Sequence, residues 1–111
     1  MVKFIIHRVN SSKKISKLNN NIFGLEADLR DYKKKLILSH EPKTNGEEFH
    51  QFLKRTEKTI FLNIKSSGIL RDIIKLVKNR EVYFLDISFS EIDYLIKHNL
   101  SKKIILRFSC Y

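Results

Sequence analysis

From about residue 45 onward, short apolar β-branched runs alternate with segments of helical period, and this alternation constrains the fold more than any other feature. "TIFLNIK" (59–65), "VYFLDIS" (82–88) and "KIILRFS" (103–109) read as strands. Between them Ile69, Leu70, Ile73, Ile74 and Val77 recur at helical spacing in "GILRDIIKLVKN" (68–79). "SFSEIDYLIKHN" (88–99) opens on a Ser88/Glu91 capping box and is expected to bury Ile92, Leu95 and Ile96. Parallel neighbours need helical crossovers, so the alternation predicts an α/β fold with a largely parallel sheet.

The first 45 residues read differently. "VKFII" (2–6) is a strand and "SSKKISKLNNN" a polar connection with one helical turn. "IFGLEADLR" (22–30) is a second strand, paired through a turn at 31–34 with "KLILSH" (35–40). Asn45 and Glu48 form an N-cap-like pair ahead of Phe49, Phe52 and Leu53, whose spacing suits a short amphipathic helix.

With 111 residues, 42% of them hydrophobic and 31% charged, the chain fits a single globular domain, 1–111. "FII" is too short for a signal core or a membrane span, so a cytoplasmic location is expected. Cys110 is the single cysteine, which excludes an internal disulfide and offers no metal-ligand spacing. A net charge of +10 favours polyanions as partners. Nucleic acid is nevertheless disfavoured: the lysines scatter in small clusters (Lys13-Lys14, Lys33 to Lys35, Lys102-Lys103), with no continuous basic face interleaved with aromatics.

Polar residues recur where the strands end. His7 and Arg8 follow the first strand, and Glu26, Asp28 and Arg30 occupy the later half of the second. His40 ends the third; Asn63 and Lys65, Asp86 and Ser88, and Arg107 and Ser109 end the next three. In parallel α/β proteins the carboxyl ends of strands open on one side, where ligands bind. Glu26 and Asp28, two residues apart, project from one face, and adjacent carboxylates repel unless a cation or proton lies between them. A hard divalent ion, Mg²⁺ or Ca²⁺, would resolve that repulsion; a solvated or lysine-paired row is the competing reading. His50 and His98 fall in helical stretches and read as surface residues.

"HR" directly after the first strand, the E-x-D of "GLEADLRD" and the terminal histidine of "LILSHEP" together resemble the N-terminal half of glycerophosphodiester phosphodiesterases. More broadly they resemble the phospholipase C-like phosphodiesterase superfamily, and order and spacing agree over residues 4 to 42. The resemblance implies an incomplete (β/α)₈ TIM-type barrel, about five parallel strands with helices outside. It also implies metal-assisted hydrolysis of a small phosphodiester. Glu26 and Asp28 would hold the divalent cation, His7 and His40 would be the acid/base pair, and Arg8 would clamp the phosphate.

Three departures accompany the resemblance. Val9 stands where the family has a small residue after His-Arg. Lys65 stands where the family carries a third metal carboxylate, and would neutralise phosphate in its place or abolish metal binding. A whole barrel takes ~250 residues, so the chain resembles its first half or more: a truncated reading frame, a fragment completed by another chain, or a smaller open α/β sheet. A second copy or a complementing chain is then expected over the open barrel edges. Two other readings stay open: a catalytically dead phosphate or sugar-phosphate-binding remnant using Arg8, Lys65 and Arg107, and a basic nucleic-acid-binding domain.

Overall fold

In the computed structural model, residues 4–15, 22–85 and 87–105 are described. Strand β1 (Phe4–Ile6) leads through the single turn of α1 (Ser12–Ile15) towards β2 (Ile22–Tyr32), the longest strand described. A hairpin joins β2 to β3 (Lys35–Leu38), followed by β4 (Glu47–Glu48) and α2 (Phe49–Lys54). The alternating part then runs β5 (Thr59–Ile64), α3 (Leu70–Leu76), β6 (Val82–Leu85), α4 (Phe89–Lys97) and β7 (Ile104–Ile105).

These seven strands form one mostly parallel sheet. β1, β2, β5, β6 and β7 lie side by side in chain order, and each pairs with its neighbour in parallel. β3 and β4 add an antiparallel hairpin. The sheet forks along β2: β1 pairs with its first half, up to Leu25, and β3 with its second, from Leu29 onward. Both lie on the edge of β2 opposite β5. The sheet is not closed into a barrel, and among the described residues β1 and β7 are each paired on one side only.

Register divides the side chains between two faces. Leu25 lies beside Ile60, Ala27 beside Leu62 and Leu29 beside Ile64, with Val82 and Phe84 continuing the row. All of them join one core with Phe49, Phe52 and Leu53 of α2, Leu70 and Ile73 of α3, and Leu95 of α4. These three helices therefore pack on one face. The other face carries Ile5, Gly24, Glu26, Asp28 and Arg30, then Phe61, Asn63, Tyr83, Leu85 and Ile105.

Local chemistry accounts for most boundaries. The β2–β3 turn is made by Lys33 and Lys34, both at positive φ (48° and 66°), which matches the twist of a two-residue hairpin. α4 starts where expected, with Ser88 Oγ accepting from the Glu91 amide and meeting the Glu91 carboxylate at 3.0 Å. The Asn45/Glu48 cap does not form. Asn45 Oδ1 accepts from the Gly46 amide instead, and Glu48 still belongs to β4. The cause is a close crossing at Gly46, where a Cβ would stand 2.0 Å from the Leu38 carbonyl oxygen. The chain stays extended past that point, and α2 begins at Phe49.

The buried stripe of α3 agrees with its spacing, except that Ile74 is only half-buried. In α4 only Leu95 is buried; Ile92 is half-buried and Ile96 is exposed. After α4 a single 3-10 turn, Ser101–Lys103, packs against it and leads into β7. No helix among the described residues is long and apolar enough to cross a membrane.

Candidate functional site

The fork in the sheet places the polar residues. β1 stops pairing at Leu25, but the chain keeps beside β2 for a few residues, and the Val9 amide donates to the Glu26 carbonyl at 2.8 Å. Arg8 takes a left-handed conformation (φ 53°) on the way. That turn sends Val9 into the helix-side core, where it is fully buried. On the other side of the fork the Ser39 amide donates to the Asp28 carbonyl at 3.0 Å, extending β3 towards His40.

Between these two approaches lie the carboxylates of Glu26 and Asp28, both buried. His7 Nδ1 is 2.9 Å from Glu26 Oε2, with the histidine side chain 70% exposed. His40 Nδ1 is 3.4 Å from Asp28 Oδ2, with its side chain 39% exposed. The His40 contact is not a hydrogen bond, and its buried Nδ1 has no hydrogen-bond partner among the described residues. Arg30 fixes the end of the β3 extension from the same face, its Nη2 donating to the His40 carbonyl at 2.9 Å. In both pairs the carboxylate faces Nδ1, and Nε2 lies on the far side of the ring.

The structure thus brings together four of the six sequence-predicted site residues: His7, His40, Glu26 and Asp28. The other two are less engaged. Arg8 and Lys65 are exposed, and among the described residues neither forms a salt bridge. Lys65 follows β5 directly, its amide donating to the Leu29 carbonyl, so it stands at the end of the carboxylate row. Asn63 is buried beside Asp28 in the register. Asp86, Arg107, Ser109 and Cys110 lie outside the described residues. His50 and His98 are exposed as expected, although His98 stacks on Tyr94 and bonds to its carbonyl.

Sequence reasoning missed Asn10. Its Nδ2 donates to Asp28 Oδ2 at 3.0 Å and its Oδ1 accepts from the Asp28 amide at 2.8 Å. The available signal was a short amide three residues beyond His7, which carries little weight until the fork is known.

An apolar cleft of about 200 Å³ adjoins the His7–Glu26 pair, walled by Ile5, Phe61, Leu85 and Ile105. Phe61 stacks on Tyr83 at a centroid distance of 5.4 Å. The Tyr83 hydroxyl donates to Glu81 Oε1, with Lys103 Nζ 3.7 Å from the same oxygen. The Tyr83 hydrogen bond, then the Lys103 charge, hold the Glu81 carboxyl below its ordinary value, and the bond to Glu81 raises the Tyr83 hydroxyl. A larger groove of about 520 Å³ between α3 and α4 is lined by Arg71, Asp72, Glu91 and Tyr94 among others, apart from the carboxylate pair.

Among the described residues no group of three or more His, Cys, Asp or Glu side chains gathers as metal ligands. No family model, curated protein or solved structure matches the chain.

Proposed function

We propose that the chain is a phosphodiester hydrolase of the glycerophosphodiester type, built on part of a (β/α)₈-like barrel. The observation that carries this reading is the pairing of each imidazole with its own carboxylate, His7 with Glu26 and His40 with Asp28, on one face of β2. Strand order supports the barrel half of the proposal. The five parallel strands succeed one another without reversal, and α2, α3 and α4 keep to one face, as in a singly wound barrel. A doubly wound sheet would reverse its order and carry helices on both faces.

Hydrolysis of a phosphodiester needs a proton removed from the attacking hydroxyl and another delivered to the leaving alcohol. His7 and His40 supply these two roles, each through the Nε2 opposite its carboxylate-facing nitrogen. The exposed Arg8 and Lys65 are the cations available to the phosphate. Two buried carboxylates on one face fit Mg²⁺ or Ca²⁺, since Mg²⁺ in particular is commonly held by one or two carboxylates with water and substrate oxygens completing its shell. Glu26 and Asp28 would hold it, and when bound it would neutralise and polarise the phosphate oxygens.

Turnover of bis(p-nitrophenyl) phosphate by the purified protein tests the reading. The expected result is hydrolysis abolished by EDTA and lowered about 10²- to 10⁴-fold by His7→Ala. Turnover that depends on neither chelator nor His7 defeats it, as does no turnover at all. A second reading, a phosphate- or sugar-phosphate-binding remnant, is favoured by Lys65 standing beside the carboxylate row. It expects inorganic phosphate or a sugar phosphate to bind with EDTA present, without turnover.

A further inference from the structure

We infer that Asn10 is a positioning residue, one that fixes the Asp28 carboxylate and through it the imidazole of His40. The reason lies in the fork. On its β1-side edge, β2 has Val9 bonded at the Glu26 carbonyl and Ser39 bonded at the Asp28 carbonyl. The Asp28 amide points to the same edge and falls in the gap between the two approaches. An unpaired buried amide is costly, and here the Asn10 side chain takes the place of the missing strand by accepting from it at 2.8 Å.

The same side chain then acts on the carboxylate. Asn10 Nδ2 donates to Oδ2 of Asp28, the oxygen that faces His40 Nδ1. With its own amide and Oδ2 both tied to one planar group, the Asp28 carboxylate cannot swing away from the imidazole. His40 Nδ1 is buried and makes no hydrogen bond; Asp28 Oδ2, at 3.4 Å, is the acceptor it faces. The facing carboxylate favours the tautomer with the proton on Nδ1, which leaves Nε2 for the open side of the site. Asn10 thus selects the tautomer of His40 without touching His40. Only the kinetic part of the following test rests on the hydrolase reading.

Asn10→Asp separates the two bonds, because a carboxylate can still accept from the Asp28 amide but cannot donate to Oδ2. ¹⁵N shifts of the His40 ring, recorded with the imidazole neutral, give the tautomer directly. The expected result is a single Nδ1–H tautomer in the native protein and a mixture of tautomers in Asn10→Asp, with the amide spectrum of α3 unchanged. A mixture already present in the native protein overturns the inference, and so does an unchanged His40 pattern in a folded Asn10→Asp. Should that variant fail to fold, amide hydrogen exchange in the native protein decides. Slow exchange at Asp28 is expected, and exchange as fast as at the exposed residues 43–45 overturns the inference. If the native protein hydrolyses phosphodiesters, Asn10→Asp lowers kcat about 10- to 100-fold and leaves KM near its native value. A protein without turnover removes that measurement and leaves the tautomer and exchange results standing.

Discussion

On the helix side of the sheet, Leu25, Ala27, Leu29, Ile60, Leu62 and Phe84 are closed off from solvent by the helices. On the other side the same strands present a half-exposed apolar patch, Ile5, Phe61, Tyr83 and Ile105, and beside it the carboxylate row. One face is finished as a core, and the other combines a cleft with buried charge. Strands with this division cannot belong to an ordinary doubly covered parallel sheet, whose two faces would both read as apolar. The difference teaches that the apolar core and the ionisable side chains lie on opposite sides of one set of strands.

The strongest test of this contrast is a matched pair of truncations. Phe52→Ala, at a fully buried position in α2, should cost about 3–5 kcal/mol in urea unfolding. Phe61→Ala, on the open face and half-buried, should cost less than half as much. Equal costs would mean that the open face is covered in solution. Next in size is the hairpin: Lys34→Gly should raise stability by about 1 kcal/mol, because lysine there occupies a left-handed conformation that glycine adopts freely. His7→Ala should shift unfolding by no more than about 0.5 kcal/mol, as expected for an exposed side chain. A larger loss would assign His7 a role in holding the fold.

The smallest effect concerns pH. The Glu81 carboxyl is lowered in the folded state, so the stability it contributes is present above its ordinary value of 4.5 and is lost as pH falls through the lowered one. Tyr83 is raised, so its share is full below its ordinary value of 10.0 and is lost as pH rises through the raised one. Tyr83→Phe should flatten both limbs slightly in urea midpoints measured across pH. An unchanged acid limb would show that the pair contributes nothing at this edge.

Much of the architecture was legible in the sequence because period-two and helical spacing report directly on which side chains share a face. The alternation after residue 45 matched strand and helix types, and the strand-end histidines stand beside the Glu26–Asp28 row. What was not legible depends on chain crossings. The β4 strand and the late start of α2 follow from the close pass of Gly46 over Leu38, which no local pattern encodes. Asn10 has meaning only because β1 and β3 share an edge of β2 and leave one amide between them. Ile96 is exposed although it falls on the apolar stripe of α4, because what packs on a helix is set by its tertiary neighbours, which helical period alone does not reveal.

The unreversed strand order also bears on how the sheet can be assembled. β2 finds β1 already made, β3 finds β2, β4 finds β3, β5 finds β2, and β6 and β7 each find the strand before them. After β1, every strand described here finds a partner that has already been synthesised. Such a sheet can grow by edge-wise addition as the chain leaves the ribosome, with every new β/α unit docking on a template that has already formed. The fork along β2 would be among the first parts complete, so both imidazole–carboxylate pairs could be in place before β6 and β7 exist.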